Sequence, residues 1–309
     1  MIVTVTPNPS VDRTISVTKL VPGAVHRASA TRTDPGGKGV NVARALVRNG
    51  AEAMAVLPLG GDDGEWVSRA LTRERVAHRV VPVDGATRTN VAIVDEGGRT
   101  TKVNEPGPSL PPGVLEAFVA AIDDEASHVA LCGSLPAGAD PELFAELVRR
   151  YRGRCVVDTS GIPFARAVAA GPSLIKPNVQ ELAELVGTPL PRLGDVVDAA
   201  RTLVDAGVGV VVASLGADGA LWVSDDTLAF AAARAVRPRS TVGAGDCLLA
   251  GVLAALDEGA TPELALAQGV AWGAASVSLP GSAVPGPDDI APIVVHSTTT
   301  PDLSTPLSD

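Results

Sequence analysis

A glycine-spaced turn at residues 240–246, Ser-Thr-Val-Gly-Ala-Gly-Asp, runs directly into an apolar stretch that predicts a long helix. Backbone N–H groups at a helix N-terminus have no intrahelical partner, and the helix dipole adds partial positive charge there. The turn therefore predicts an anion site, with Gly243, Ala244 and Gly245 leaving the backbone open to a phosphate. Asp246 places a carboxylate in it, either as a helix cap or as a base that accepts a hydroxyl proton during phosphoryl transfer.

A second glycine-rich turn, at residues 34–39, also opens into a predicted helix. It is not a Walker A loop, because the glycine spacing differs and no Ser or Thr follows the lysine. Gly37 would allow close backbone approach to a polar ligand, Lys38 supplies a point charge for a phosphate, and Asn41 offers an amide for sugar hydroxyls. The alternative is a tight strand-to-helix connection with a solvated lysine.

Two further charged residues, Asp12 and Arg88, are candidates for contacting a ligand. Asp12 follows the β-branched run 2–6, and ligands in open parallel sheets bind outside the carboxyl ends of strands. The alternative for Asp12 is a turn cap. Arg88 begins a predicted strand and could hold a phosphate through two hydrogen bonds, although an exposed strand arginine has the same local sequence.

The second half of the chain offers a cation site and a nucleotide site. Asn178 and Glu181 are three residues apart at a predicted helix start, where they could organise a hydrated Mg²⁺ or simply form a capping box. After the predicted strand 209–213, a turn of small residues could lie against a flat nucleotide. Its members are Ser214, Leu215, Gly216, Ala217, Asp218 and Gly219.

Composition limits the classes of protein that need to be considered. The 309-residue chain is 46% hydrophobic and carries a formal net charge of −10, which allows a large core and argues against nucleic acid or anionic membranes as partners. Three cysteines and four histidines show no metal or disulfide spacing. Because neither a leader nor a long apolar run is present, we expect a cytoplasmic protein.

The order of predicted elements indicates how the sites are positioned. Strands and helices alternate regularly from about residue 111, as in a doubly wound α/β fold with a mainly parallel sheet. Two β-rich insertions, at about 13–33 and 86–105, predict a small sheet that covers a site as a lid. We expect one domain over 1–292, followed by a disordered Ser/Thr/Pro-rich tail over 293–309.

Taken together, the motifs resemble those of the ribokinase-like pfkB sugar kinases over about residues 1–292. More narrowly, they resemble the hexose-phosphate kinase branch, with its 1-phosphofructokinases, tagatose-6-phosphate kinases and minor 6-phosphofructokinases, and the first of these above all. The resemblance is carried by Asn8-Pro9-Ser10-Val11-Asp12, Gly37-Lys38-Gly39-Val40-Asn41-Val42-Ala43, Gly133-Ser134-Leu135-Pro136, Lys176-Pro177-Asn178-Val179-Gln180-Glu181-Leu182, Ser214-Leu215-Gly216-Ala217 and the turn 240–246. Cys247 departs from the pattern, because relatives commonly have Ser there.

The resemblance implies a three-layer α/β/α sandwich with a β-sheet lid that often contacts a second subunit, and therefore a homodimer. It implies ATP and Mg²⁺ as cofactors and a role for each matching residue. Asp246 would be the base and Gly243, Ala244 and Gly245 the anion hole. The sugar phosphate would contact Asp12, Gly37, Lys38, Asn41, Arg88 and Ser134. ATP would contact Lys176, Gly245 and the turn Ser214–Gly219, and Mg²⁺ would be served by Asn178 and Glu181.

The reaction that these roles imply is phosphorylation of fructose 1-phosphate to fructose 1,6-bisphosphate. Because the acceptor hydroxyl must lie within about 3 Å of the base, we expect Lys38 and Arg88 to lie far from Asp246, at the phosphate end of the sugar. Tagatose-6-phosphate kinase and minor 6-phosphofructokinase remain alternatives, as does a sugar-phosphate sensor without catalysis. A nicotinamide dehydrogenase is disfavoured, because no G-x-G-x-x-G follows the first strand.

Overall fold

A computed structural model describes residues 1–234 and 239–308. Within those ranges the chain forms a mixed α/β fold with one large, mainly parallel sheet and one smaller sheet, as predicted. The strands, in chain order, are β1 (Ile2–Val5), β2 (Ser10–Val17), β3 (Ala30–Gly36), β4 (Ala53–Leu59), β5 (Ala77–Pro82), β6 (Arg88–Asp95), β7 (Thr100–Asn104), β8 (His128–Cys132), β9 (Cys155–Asp158), β10 (Leu174–Ile175), β11 (Val211–Ser214), β12 (Ala220–Val223), β13 (Leu228–Ala233) and β14 (Val295–Thr298).

Helices connect most of these strands. The α-helices of the described residues are α1 (Lys38–Arg48), α2 (Gly61–Arg73), α3 (Val114–Ala121), α4 (Leu143–Arg150), α5 (Gly161–Ala169), α6 (Val179–Val186), α7 (Leu193–Asp205), α8 (Ala244–Asp257), α9 (Pro262–Val277) and α10 (Pro287–Ile290). None of them combines the length and the apolar character that crossing a membrane requires.

The large sheet has the strand order β14-β13-β12-β11-β10-β9-β8-β1-β4-β5 among the described residues. Pairing is parallel from β11 to β5 and antiparallel from β11 to β14. Strands β1 and β4 are buried along their whole length, as strands covered on both faces must be.

Two apolar layers lie on the two faces of this sheet. Successive side chains of a strand point to opposite faces, so Val3 joins one cluster while Ile2 joins the other. Helices α3 to α7 contribute to the first cluster, and α1, α2, α8 and α9 to the second. The result is the predicted three-layer sandwich, which holds α1 and α8 side by side on one face.

The smaller sheet, which we call the lid, has the order β3-β2-β6-β7. Its strands come from the two predicted insertions, and β6 and β7 form an antiparallel pair within the second of them. Register places Asp12 of β2 beside Asn90 of β6, which in turn pairs with Asn104 of β7. The next row along, Arg13, Val91 and Val103, therefore points to the opposite face of the lid.

The tail 293–309 is ordered, contrary to the expected disorder, as far as it is described; Asp309 lies outside the described residues. Strand β14 pairs with β13 and extends the large sheet. Farther along, the carbonyl groups of Leu303 and Thr305 accept hydrogen bonds from Gly194 and Leu193 at the start of α7. Polar composition suggested disorder, but an open strand edge and unpaired helix N–H groups supply partners that a composition argument does not consider.

Candidate active site

The turn before α8 leads into a helix N-terminus that no side chain caps. Gly243 is the N-cap residue, in the left-handed region at φ 81°, and no side chain caps the helix. Asp246 therefore does not act as the helix cap, which removes that alternative. Helix α8 is buried from Asp246 through Ala255, so the tightly packed helix fixes the position of the carboxylate.

Asp246 instead faces helix α1. Asn41 donates from Nδ2 to Asp246 Oδ2 over 2.9 Å, and both residues are buried. The other amide atom, Asn41 Oδ1, is buried without a hydrogen-bond partner. Since buried polar atoms are rarely left unpaired, Oδ1 is available to accept a hydrogen bond from a ligand hydroxyl.

The environment of Asp246 suits a general base. Burial and the nearby carboxylate of Asp158 raise the pKa of Asp246 to about 6, against the opposing effects of Lys38, Asn41 and Lys176. At neutral pH the group is therefore mostly ionised, while its proton affinity is higher than that of an exposed aspartate. That combination favours proton transfer from a hydroxyl.

A buried carboxylate at the end of β9, Asp158, binds both lysines of the site. Lys38 Nζ lies 2.7 Å from Asp158 Oδ1, and Lys176 Nζ lies 3.3 Å from Asp158 Oδ2. Burial disfavours the charge on Lys38, but Asp158, Asp246 and Glu181 outweigh it and raise the pKa of Lys38. The two lysines hold the pKa of Asp158 below its ordinary value despite its full burial.

Asp158 was absent from the predicted site, although its position carried a signal. It is the last residue of a parallel strand, and the same strand-end argument that selected Asp12 applies to it. In the sheet β9 lies next to β10, which leads into Lys176, so the two side chains meet at one edge. The strand order, which the sequence alone does not provide, is what pairs them.

The structure corrects the expected location of Lys38. It was expected with Arg88, far from Asp246, but it lies in the cluster around Asp158 and interacts electrostatically with Asp246. The physical reason is helical geometry. Lys38 begins α1, and Asn41 follows three residues later on the same side, so the contact of Asn41 with Asp246 brings Lys38 there as well.

Arg88 lies apart from that cluster, at the junction of the lid and the large sheet. Its guanidinium donates to the backbone oxygens of Glu105 and Asn8 at 3.0 and 3.1 Å. Burial lowers the pKa of Arg88, and Nε is buried without a partner. The Asn8 side chain also donates to Ser134 Oγ at 3.4 Å, which places Ser134 at the same junction.

Asp12 and Gly37 complete this part of the site. Asp12 Oδ1 accepts hydrogen bonds from Ser10 Oγ at 2.7 Å and from Asn90 Nδ2 at 3.1 Å, so the lid fixes the carboxylate. Gly37 has φ 113°, and a Cβ there would lie 2.8 Å from Thr6 Cγ2. A side chain at position 37 would therefore displace the turn.

Between the lid and the segments 239–242 and 280–282 lies a cleft of about 540 Å³. Its lining residues include Asp12, Thr14, Asn90, Lys102, Arg239, Ser240 and Gly281. Lys102 pairs with Ala92, which pairs with Thr14, so Lys102 lies on the same lid face as Asp12 and Asn90. Lys102 and Arg239 offer positive charge to an anion, and Asp12 and Asn90 can bind hydroxyls, although Asp95 and Glu96 also line the cleft.

The turn predicted to border a nucleotide follows β11 and includes a short 3₁₀ segment, Gly216–Asp218. Leu215 N–H donates to Gly219 O over 2.8 Å, which closes the turn. Gly219 has φ 110°, and a Cβ there would lie 2.2 Å from Ala231 O, so glycine is required. Gly245 approaches the same region from α8, where a Cβ would lie 3.1 Å from Lys176 Nζ.

Asn178 and Glu181 form a capping box. Glu181 N–H donates to Asn178 Oδ1, and Asn178 N–H donates to Glu181 Oε2, at 2.8 and 2.9 Å. Only Glu181 Oε1 stays clear of the cap, and it lies 3.8 Å from Lys38 Nζ. No group of three His, Cys, Asp or Glu side chains converges as a metal site within the part of the chain that the structure describes. This donor set suits an ion held through water and ligand phosphates, as Mg²⁺ often is.

Known proteins share both the sequence and this architecture. Residues 5–289 match the pfkB family carbohydrate kinases. The 1-phosphofructokinase of Rhodobacter capsulatus is 40% identical over 278 residues, which span 86% of this chain and 88% of that protein. The 1-phosphofructokinase of Xanthomonas campestris pv. campestris is 40% identical over 272 residues, which span 84% and 85%. Phosphofructokinase-2 from Escherichia coli, solved in complex with substrates and products, superposes with a TM-score of 0.89 at 34% identity, covering 94% of this chain and 97% of that chain. With a matching sequence over nearly its whole length and a buried carboxylate beside an uncapped helix N-terminus, the chain belongs to the pfkB family of carbohydrate kinases.

Proposed function

We propose that the protein transfers a phosphoryl group from ATP to the 6-hydroxyl of fructose 1-phosphate, giving fructose 1,6-bisphosphate and ADP. The observation that carries the proposal is the contact of Asn41 with Asp246 at the open N-terminus of α8. The turn at the start of α8 thereby holds a base beside an anion hole, and phosphoryl transfer to an alcohol requires both. The names of the two 1-phosphofructokinase relatives support fructose 1-phosphate as the acceptor.

In this reaction Asp246 accepts the proton of the 6-hydroxyl as the oxygen attacks phosphorus. The N–H groups at Gly243, Ala244 and Gly245 stabilise the negative charge on the transferring group, helped by the dipole of α8. Lys38 and Lys176, held by Asp158, add positive charge beside the same group. Asn41 Oδ1 accepts a hydrogen bond from a sugar hydroxyl while its Nδ2 keeps the base in position.

The two substrates approach the base from different sides. ATP lies along the turn Ser214–Gly219 and reaches the lysines with its phosphates. Mg²⁺, when bound, neutralises phosphate charge, and Glu181 Oε1 is the protein oxygen that would hold it, through water. Asp12 and Ser134 bind sugar hydroxyls, and Arg88 holds the 1-phosphate, while Lys102 and Arg239 add positive charge along the cleft.

We also propose that the protein is a homodimer whose lids face each other. The lid face opposite Asp12 carries the apolar side chains of Ile15, Val91, Ile93 and Val103, together with Arg13, as the strand register requires. Val103 is 59% exposed, and Val25 in the loop between β2 and β3 is 90% exposed. Packing two such faces together would remove this apolar surface from water.

A substrate panel tests the proposed reaction. Rates with ATP and fructose 1-phosphate, fructose 6-phosphate or tagatose 6-phosphate are followed through ADP release. We expect kcat/KM for fructose 1-phosphate to exceed the other two values by at least about tenfold, or roughly 1.4 kcal/mol of transition-state binding. A preference for either 6-phosphate would replace the substrate and leave the kinase class unchanged. ATP binding without ADP release on any sugar would indicate a sensor.

A further inference from the structure

Residues 299–308, which we call the C-terminal strap, run from β14 across the start of α7. Leu193 and Gly194 begin α7 and donate their N–H groups to the carbonyls of Thr305 and Leu303, both over 2.9 Å. Leu307 N–H donates to Pro191 O over 2.9 Å. The strap thus supplies acceptors for two helix N–H groups that lack intrahelical partners, which fixes its own path.

The strap ends on the turn that borders the proposed ATP site. Ser308 donates its N–H to Asp218 Oδ2 over 2.7 Å and its hydroxyl to Asp218 Oδ1 over 2.9 Å. Both oxygens of this carboxylate are therefore held by a single residue. Hydrogen bonds to an ionised acceptor are stronger than those between neutral groups, so this contact is well suited to holding a loop.

The turn needs an external support. Its 3₁₀ segment has only three residues, and Gly216 and Gly219 on either side of Ala217 and Asp218 have φ values of 62° and 110°. Glycine loses more backbone entropy on ordering than other residues, and short 3₁₀ turns have weak hydrogen-bond geometry. Within the turn itself, the hydrogen bond from Leu215 N–H to Gly219 O is supplemented by a longer one from Asp218 N–H to Leu215 O, over 3.2 Å.

We propose that Ser308 is a positioning residue for the ATP site, and that it acts through Asp218. The strap keeps the turn Ser214–Gly219 in the shape that receives the nucleotide, so that binding ATP does not have to order the turn. The inference rests on the proposed function, in which this turn borders ATP. It predicts that the strap affects ATP affinity and leaves both sugar affinity and the chemical step unchanged.

The test is a double-mutant cycle of Ser308→Ala and Asp218→Ala, with steady-state kinetics for both substrates. We expect Ser308→Ala to raise KM for ATP by about threefold to tenfold, the size of one net hydrogen bond, with kcat and KM for the sugar phosphate unchanged. In the Asp218→Ala background, Ser308→Ala should have no further effect. Ser308→Thr, which keeps the hydroxyl and the N–H, should restore the wild-type KM for ATP.

Ser304→Ala is the matched control, because Ser304 Oγ bonds within the strap, to Asp302 Oδ1 at 2.7 Å. An unchanged KM for ATP in Ser308→Ala, equal increases for ATP and sugar phosphate, or the same effect in Ser304→Ala would each overturn the proposal. Hydrogen exchange of residues 215–219 without nucleotide should speed up in Ser308→Ala and not in Ser304→Ala.

Calorimetric titration with ATP alone separates this proposal from the proposed reaction. If the wild type binds ATP but phosphorylates none of the three hexose phosphates, the reaction is wrong, and the ATP affinities of Ser308→Ala and Ser304→Ala still decide the role of the strap. If the wild type binds no ATP, both proposals fail.

Discussion

Asn41 of α1 and Asp246 of α8 share a buried hydrogen bond of 2.9 Å, although 205 positions separate them in the chain. The amide orients the carboxylate and occupies one of its oxygens. In the proposed reaction the second oxygen accepts the substrate proton. This division of the carboxylate gives position 246 a well-defined geometry, and the predictions below depend on it.

Replacing Asp246 with Asn should lower kcat by roughly two to four decades, because the general base is lost. ATP and sugar-phosphate affinities should stay close to wild type, since the side chain keeps its shape and still accepts a hydrogen bond from Asn41. Single-turnover kinetics and equilibrium titrations measure the two effects. Asp257→Asn, at the other end of α8, is the control. A kcat within tenfold of wild type would remove Asp246 from the role of base.

The same substitution should stabilise the folded protein at pH 7 to 8. The pKa of Asp246 is raised to about 6 in the folded state by burial and by Asp158, so ionisation costs stability as the pH rises through that value. Asn carries no charge, and we expect a gain of about 1 to 3 kcal/mol that narrows as the pH falls towards 4. Urea unfolding of the wild type and the variant, at pH 8 and near pH 4, measures the difference in the free energy of unfolding. Lower stability of the variant at pH 8 would contradict the assigned direction.

The rate should fall on the acid side of about pH 6, since protonated Asp246 cannot accept a proton. Two variants should shift this acid limb of the pH–rate profile in opposite directions. Asp158→Asn removes a nearby negative charge and should shift it to lower pH. Asn41→Ala removes a hydrogen bond that favours the carboxylate and should shift it to higher pH. Profiles of kcat/KM between pH 5 and 8 test this, and an unshifted limb in both variants would mean that another group titrates.

The two predicted phosphate cations should give different kinetic effects. Lys38→Ala should lower kcat with a smaller change in KM for the sugar, because Lys38 lies beside Asp158 and the base. Arg88→Ala should mainly raise KM for the sugar phosphate and leave ATP affinity unchanged, because Arg88 lies at the lid junction.

Exposed cations elsewhere serve as controls for this pair. Arg99 of the lid hairpin bonds to Asp95, and its side chain is 73% exposed, so Arg99→Ala should leave both parameters unchanged. If Lys38→Ala and Arg88→Ala have identical effects, Lys38 binds the sugar phosphate as the sequence predicted.

Dimer formation through the lid should be sensitive to charge on the lid face opposite Asp12. We expect Val103→Asp to convert a dimer into a monomer at micromolar concentration, because it places a carboxylate in the apolar face. Val294→Asp, on another exposed valine outside the lid, should have no effect. Sedimentation velocity distinguishes the species. A wild type that is monomeric and fully active would contradict the dimer.

Much of the fold follows from local pattern. The β-branched run 2–6 indicated a buried strand, and the structure has strand β1 there, in the interior of the large sheet. The regular alternation expected from about residue 111 is also present, with β8, α4, β9 and α5 following α3. The lid followed from two β-rich insertions in an alternating chain. The tail was predicted wrongly because its partners, β13 and the start of α7, lie far away in the sequence.

The residue types of the site could be predicted from the sequence, but their arrangement in space could not. The turn around Asp246 carries its chemistry locally, so its residue types were enough to propose a base and an anion hole. The location of Lys38 and the role of Asp158 depend on which strands are neighbours, and that is a property of the whole sheet. The sequence of Asn178 and Glu181 fitted both a cap and a cation site, and the structure shows the capping box.

The distance along the chain between Asn41 and Asp246 also governs when activity can appear during folding. A nascent chain exposes residue 41 long before residue 246 has been synthesised, so the site cannot be complete until α8 has been made. Contacts between residues so far apart form late, because closing a long loop costs entropy before any contact is gained. Recovery of phosphoryl transfer after denaturation is therefore a measure of long-range closure between α1 and α8 rather than of helix or strand content.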